Sequence, residues 1–240
     1  LNFKGNCCGY LEGDTVAHCG HSLSGTHAWT LNVVDHHSHW TEQEAILGKT
    51  ADNVLKATIN IRSRLAFAIK GFHNDCGSEF INHELYEYFK DPKHFVLQTS
   101  GRPYKKNDQA HIEQRNWTHV RQVFGYERID TSELLHCMND IYSNELRLLN
   151  NFFTATQKLK TKTRKGSKYH RKFFEPQTPF QRVLEDKAVS EIEKQKLKKQ
   201  FQALNPFELR KSLNKKLLLF KNLLNKLNGL SDGPLQRKVA

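Results

Sequence analysis

Two stretches, GFHNDCGSEF (71–80) and SGRPYKKNDQAHIEQRNWTHVR (100–121), decide how this chain is read. Residues 66–73 form an apolar run that predicts a buried strand, with Asp75 at its end. Ser78 and Glu79 then suit the start of a helix reaching Phe89, since an acid in the first turn complements the helix dipole. Residues 94–98 (HFVLQ) predict a short strand, followed by the loop Ser100–Tyr104. A second helix is predicted from Asn107 or Asp108. On it Ala110, Glu113, Trp117, Val120 and Phe124 recur at steps of three and four and so share one face. Glu113 is therefore expected on an apolar stripe facing the core, where a carboxylate is costly unless paired or metal-bound. Gln114, Thr118 and Arg121, with Arg115 close by, fall on another face suited to phosphates.

Upstream, residues 9–17 (GYLEGDTVA) and 27–35 (HAWTLNVVD) predict two strands of a meander, separated by a polar turn at 18–22, with a third opening near His39–Glu42. Residues 51–64 carry Val54, Leu55, Thr58 and Ile61 at helical spacing. Asp14 lies in the first strand, 61 positions before Asp75, and Glu113 follows Asp75 by 38. Three acids on separate elements, able to converge, suit divalent cations and phosphodiester chemistry, because Mg²⁺ prefers carboxylate and water oxygens. Each acid alone is more ordinarily a solvated surface residue.

Downstream, residues 131–149 predict a helix. The segment from Lys158 to Lys172 contains eight Lys+Arg and no acid. It reads as a linker or arm that becomes ordered on a partner. Thr178, Ser190 and Asn205 each open a helix with a capping pattern. The last carries Leu209, Leu213, Leu217, Phe220, Leu224 and Leu227 on one stripe and ends near Gly229. The expected organisation is a core at 1–155, a basic arm at 156–177, a helical region at 178–230 and a frayed tail at 231–240.

Of the 240 residues, 1–155 hold 15 Lys+Arg against 18 Asp+Glu, whereas 156–240 hold 22 against 7; the whole chain carries +12. Such asymmetry suits a polyanion, with nucleic acid the leading candidate and a solvated basic helix bundle the bland alternative. Five irregularly spaced cysteines argue against a disulfide framework and fit a reducing compartment. No signal peptide or membrane span is read, and the start at Leu1 suggests a piece of a longer product.

The strings HNDCGSEF and SGRPYKKNDQAHIEQRN, with GDTVAHCG and LNVVDHHSHW before them, resemble the catalytic core of the DDE integrase/transposase superfamily. The similarity is greatest to integrase-type transposases of bacterial insertion sequences and covers residues 9–155. Cys76 departs from the pattern, standing where the family has Asn, and the spacing of 37 intervening residues is slightly long. The resemblance implies an RNase H-like α/β fold: a mixed five-stranded sheet flanked by helices. It implies Asp14, Asp75 and Glu113 as catalytic and metal-binding residues. It also implies cofactor Mg²⁺ or Mn²⁺, in two ions, cutting of transposon ends by water, and strand transfer by the freed 3′-OH. Double-stranded DNA, as transposon ends and target, is the implied partner. A homo-oligomer on DNA, a separate or missing N-terminal helix-turn-helix region and a bacterial cytoplasmic, nucleoid-associated location go with it. Candidate DNA contacts are Arg115, Asn116, Arg121, Lys105, Lys106, Arg164, Lys165, Arg171 and Lys172. The alternative is a truncated, non-catalytic DNA-binding relic.

Cys7, Cys8, His18, Cys19 and His21 invite a zinc reading but lack the paired spacings of structural sites, so they read as buried Cys and loop His. Asp35, beside His36, His37 and His39, reads as structural, with an accessory metal role as the alternative. Trp29 and Trp40 read as packing residues. The Leu stripe reads as bundle core, with a multimer interface as the alternative.

Overall fold

The computed structural model describes residues 5–75, 77, 79–101 and 110–228, with only the backbone of 110 and 111. β1 (Tyr10–His18), β2 (Ala28–Asp35) and β3 (Thr41–Leu47) form an antiparallel meander. α1 (Ala51–Arg64) returns the chain to β4 (Gly71–Asn74), which pairs parallel to β1. α2 (His83–Lys90) leads to β5 (Leu97–Ser100), parallel to β4. The sheet order is β3-β2-β1-β4-β5. This mixed five-stranded sheet flanked by helices is the RNase H-like arrangement that the resemblance implied.

Strand alternation sorts the side chains into two layers. Leu11, Leu31, Val33 and Phe72 join Val54 and Ile61 of α1 and Leu85 and Phe89 of α2 in one cluster. Gly13 is required where β1 crosses Phe72, since a Cβ there would lie 2.4 Å from the ring. On the other face, α3 (Ala110–Arg115) runs through a π-helical segment (Asn116–Arg121) into α4 (Gln122–Phe124). α5 (Ser132–Ile141) follows and continues through two more π-helical segments, Tyr142–Leu146 and Leu149–Phe153. Phe124, Met138 and Tyr142 pack there with Leu213, Phe220 and Leu224.

Four local expectations are corrected. The strand expected at 66–73 is confined to Gly71–Asn74, because the ladder begins only where Lys70 and Gly71 donate to Gly9 O; Ala66 and Ile69 are buried without strand pairing. The helix expected from Ser78 starts at His83, capped by Asn82, since Phe80 and Ile81 first turn back onto Gly77 O. Pro92–His94 form a 3₁₀ turn, so the following strand begins at Leu97 instead of His94. The basic arm is a hairpin, β6 (Leu159–Lys165) with β7 (Lys168–Phe173), closed at Gly166, whose φ of 60° suits glycine. A Gly-Ser pair between alternating Thr/Lys positions was the available hairpin signal.

Helices α6 (Pro179–Glu185), α7 (Glu191–Gln202) and α8 (Pro206–Leu227) start at the caps read from the sequence, Thr178 with a full capping box. Along α8, Leu213, Phe220 and Leu224 are buried, whereas Leu227 is exposed.

Candidate functional site

The parallel pairing of β1 and β4 sets the site. Gly13 faces Asn74 in register, so Asp14 and Asp75 follow as the next residues on neighbouring chains. Asp14 Oδ1 accepts from Thr15 N at 2.8 Å and Oδ2 from Asn116 Nδ2 at 2.6 Å. Burial raises the Asp14 carboxyl above the usual range, the charges of Asp75 and Glu79 push it further, and the two hydrogen bonds oppose them. Asp75 Oδ1 accepts from Gly77 N at 3.0 Å, which folds the following loop inward.

That loop delivers Glu79, which the sequence placed in a solvated first helical turn. It is only 4 % exposed. Its Oε1 accepts from Thr15 Oγ1 at 3.1 Å and lies 2.9 Å from Lys49 Nζ, while Oε2 is buried with no hydrogen-bond partner among the described residues. Gly77 permits this approach, since a Cβ there would lie 2.5 Å from the Glu79 carboxylate. Lys49 Nζ also sits 4.4 Å above the Trp29 ring centroid.

Glu113 departs from its expected orientation. It is solvent-exposed, and Trp117 is 50 % exposed. Val120 and Phe124 of the expected stripe are buried, joined by Ile112 and His119 in place of Glu113 and Trp117. The π-helical segment is the cause, because i→i+5 bonding widens the turn and shifts the phase that a 3.6 period assumes. The residue of this helix that meets the sheet is Asn116. Its Oδ1 accepts from Asn32 Nδ2 at 2.8 Å, and Asn32 Oδ1 in turn accepts from Gln43 Nε2 at 3.0 Å. A side-chain relay thus runs from β3 through β2 and the helix to Asp14. No group of three or more His, Cys, Asp or Glu among the described residues is arranged to hold a metal ion.

The other sequence-named residues are dispersed. Arg115 is half-buried, its pKa lowered by burial and then by Arg182. Arg121 lies 4.7 Å over the Tyr126 ring. Arg164, Lys165, Arg171 and Lys172 are exposed on the hairpin. Lys105, Lys106, Cys76 and Ser78 lie outside the described residues. Asp35 is buried and accepts from Gly9 N, Ser38 N and Ser38 Oγ, a turn-fixing arrangement. Cys7, Cys8 and Cys19 are free thiols, and His18 is buried against Thr30. Trp40 is buried, and its indole donates to Glu42.

The class these features define is an RNase H-like α/β protein with one acid, Asp14, within β1 and another, Asp75, just past the end of the neighbouring β4. No family model matches the chain. It is 33 % identical over 174 residues to the uncharacterized protein y4rM of Sinorhizobium fredii (strain NBRC 101917 / NGR234), covering 72 % of this chain and 49 % of that protein. The chain thus spans about half the length of this curated relative. Among solved structures it is similar to the catalytic core domain of BIV integrase, with 16 % identity, 73 % of this chain and 93 % of that one covered, and a TM-score of 0.45. It is also similar to the HTLV-2 integrase catalytic core domain in complex with magnesium, with 15 % identity, 61 % and 88 % covered, and a TM-score of 0.44. A chain of the simian T-cell lymphotropic virus intasome has 13 % identity, 61 % and 49 % covered, and a TM-score of 0.47. No helix among the described residues is long and apolar enough to cross a membrane.

Proposed function

We propose that this chain carries the catalytic core of an integrase-type DNA transposase, a metal-dependent polynucleotidyl transferase that cuts DNA ends and joins them to a target. One observation carries the reading: Asp14, one residue past the parallel β1–β4 ladder, is half-buried beside Asp75 and Glu79 and tied by Asn116 to the helix bearing Glu113.

The donor set fits hard divalent cations. All three proposed ligands, Asp14, Asp75 and Glu113, offer carboxylate oxygens, as Mg²⁺ or Mn²⁺ requires. The raised Asp14 carboxyl, close to the charges of Asp75 and Glu79, marks a place where a cation would relieve the crowding of carboxylates. When bound, a pair of such ions supplies activation of the attacking water or 3′-OH and stabilisation of the leaving oxygen. The chain itself holds Asp14 in place through the relay from Gln43, Asn32 and Asn116. Asp75 shapes its own loop through Gly77 N. Glu113, exposed at the surface of α3, is the third proposed ligand beside Asp14 and Asp75. The terminal repeats and oligomeric assembly proposed for such an enzyme would involve DNA and further copies of the chain.

The test is Mn²⁺ calorimetry beside nicking and joining of a labelled duplex. Asp14→Asn, Asp75→Asn and Glu113→Gln are each expected to reduce joining to background. Duplex binding should stay within roughly twofold, because cations elsewhere carry it. Unchanged joining in any of the three removes that residue from the assignment. A wild-type chain that binds duplex but takes up no Mn²⁺ and makes no nicks would be the non-catalytic relic.

A further inference from the structure

We infer that the β6–β7 hairpin is a preformed duplex-DNA ribbon that engages through one face only, the face carrying Lys162, Arg164, Tyr169 and Arg171. This rests on the DNA-directed reading above and deepens it. Seven of the fifteen residues from Leu159 to Phe173 are Lys or Arg, and none is acidic. Every residue of both strands is exposed. A hairpin so exposed on both faces among the described residues needs a reason to keep so much like charge together, and a polyanion supplies one.

The register divides the hairpin into two chemically different faces. Directly opposed residues of an antiparallel pair share a side, as do residues two apart. Lys162 faces Arg171 and Arg164 faces Tyr169, which puts these four together. The opposite side holds Thr161, Thr163, Lys165, Lys168, His170 and Lys172. On the first side two of the three cations sit against an aromatic ring: Lys162 Nζ and Arg164 Cζ lie 4.7 and 5.8 Å from the Tyr169 ring centroid. Planar guanidinium groups held against a ring lose less freedom on meeting a phosphate than solvated lysines do. The cations of the other face, Lys165, Lys168 and Lys172, are all flexible ammonium groups.

The ribbon is also held in place at its root. Thr156 and Gln177 bridge the two chain ends, and Lys158 Nζ donates to His37 O at 2.7 Å. Arg182 donates to Ser38 O at 3.1 Å and to both the hydroxyl and the carbonyl of Thr156. Among the described residues neither Lys158 nor Arg182 forms an ion pair with a carboxylate, although Glu175 and Glu185 line the same hollow. Strands of this length reach about 20 Å at ~3.3 Å per residue. That is enough to follow a major groove about 12 Å wide, which admits a two-stranded ribbon.

Two triple variants remove equal charge from opposite faces: Lys162→Ala/Arg164→Ala/Arg171→Ala and Lys165→Ala/Lys168→Ala/Lys172→Ala. Affinity for a labelled duplex is measured across a salt series, with thermal melting to show that each variant folds. The first triple is expected to weaken binding about tenfold or more at 0.1 M salt and flatten the log–log salt slope by roughly two units or more. The second should cost less than about a third of that loss, since its charges act only at a distance. Equal losses in the two triples, no loss in the first, or tighter binding to an RNA duplex than to DNA would overturn the inference. Wild-type joining activity alongside an unaffected first triple would sink the hairpin assignment alone. A wild-type chain that binds no duplex removes the transposase reading and the hairpin assignment with it.

Discussion

His18 shows how far a single buried group can couple this fold to solvent. It is fully enclosed, its Nε2 meets Thr30 Oγ1 at 2.8 Å, and its Nδ1 has no partner. Burial lowers its pKa from 6.5 to about 3, and burial does the same to His119. An unfolded chain takes up these protons near 6.5 while the folded chain resists until about 3. Stability is therefore complete above that upper value and is lost progressively as pH falls through the window. The melting temperature should drop from pH 7 to pH 4, and His18→Gln should flatten that drop; an identical slope would refute the assignment. The same scale shows what sequence could reveal of the site. The strand that carries Asp14 and the one that leads to Asp75 were legible, because both follow from apolar patterning. Glu79 was not: nothing local distinguishes a solvated helix-start acid from one folded inward by the Asp75–Gly77 turn. The pairing with Lys49 is equally non-local, since 30 residues separate the two.

At the scale of elements, the meander and its crossover were readable because alternation and helical spacing were clean. The Glu113 helix was misread because its π-helical segment breaks the period that the reading assumed. Glu42, on the third strand of the meander, shows what holds such elements in register. It is 1 % exposed and meets Arg64 of α1 at 3.0 Å, Arg147 at 2.7 Å and the Trp40 indole at 2.9 Å. One carboxylate thus joins the sheet edge to helices from two distant parts of the chain. Removing it leaves the Arg147 guanidinium without its carboxylate and Arg64 with only its 2.8 Å pair to Glu44, and breaking a buried ion pair in this way costs about 3–5 kcal/mol. Glu42→Ala should lower the urea midpoint accordingly, with the slope unchanged. A loss below about 1 kcal/mol would mean the pair behaves as a surface contact.

Across the whole molecule, charge and packing divide the chain differently. By charge, the body ends near residue 155 and a basic segment follows. By packing, the final helices belong to the body. Phe180, Val183 and Leu197 share a cluster with Trp40 and Phe152, and Leu213, Phe220 and Leu224 share one with Met138 and Tyr142. Glu145 fixes the contact by accepting from Ser212 Oγ at 2.8 Å and Lys216 Nζ at 2.9 Å. Each such buried side chain contributes about 1.5–3 kcal/mol. Those six together match the whole net stability of an ordinary domain, about 5–15 kcal/mol. The chain should therefore melt in one transition seen alike by near- and far-ultraviolet circular dichroism. A fragment ending at residue 177 should lose its near-ultraviolet signal and bind a hydrophobic dye, because the uncovered Met138 and Phe152 faces have no other cover. If that fragment melted as sharply and within a few degrees of the full chain, the helices would be an appended module, and the charge boundary would be the structural one as well.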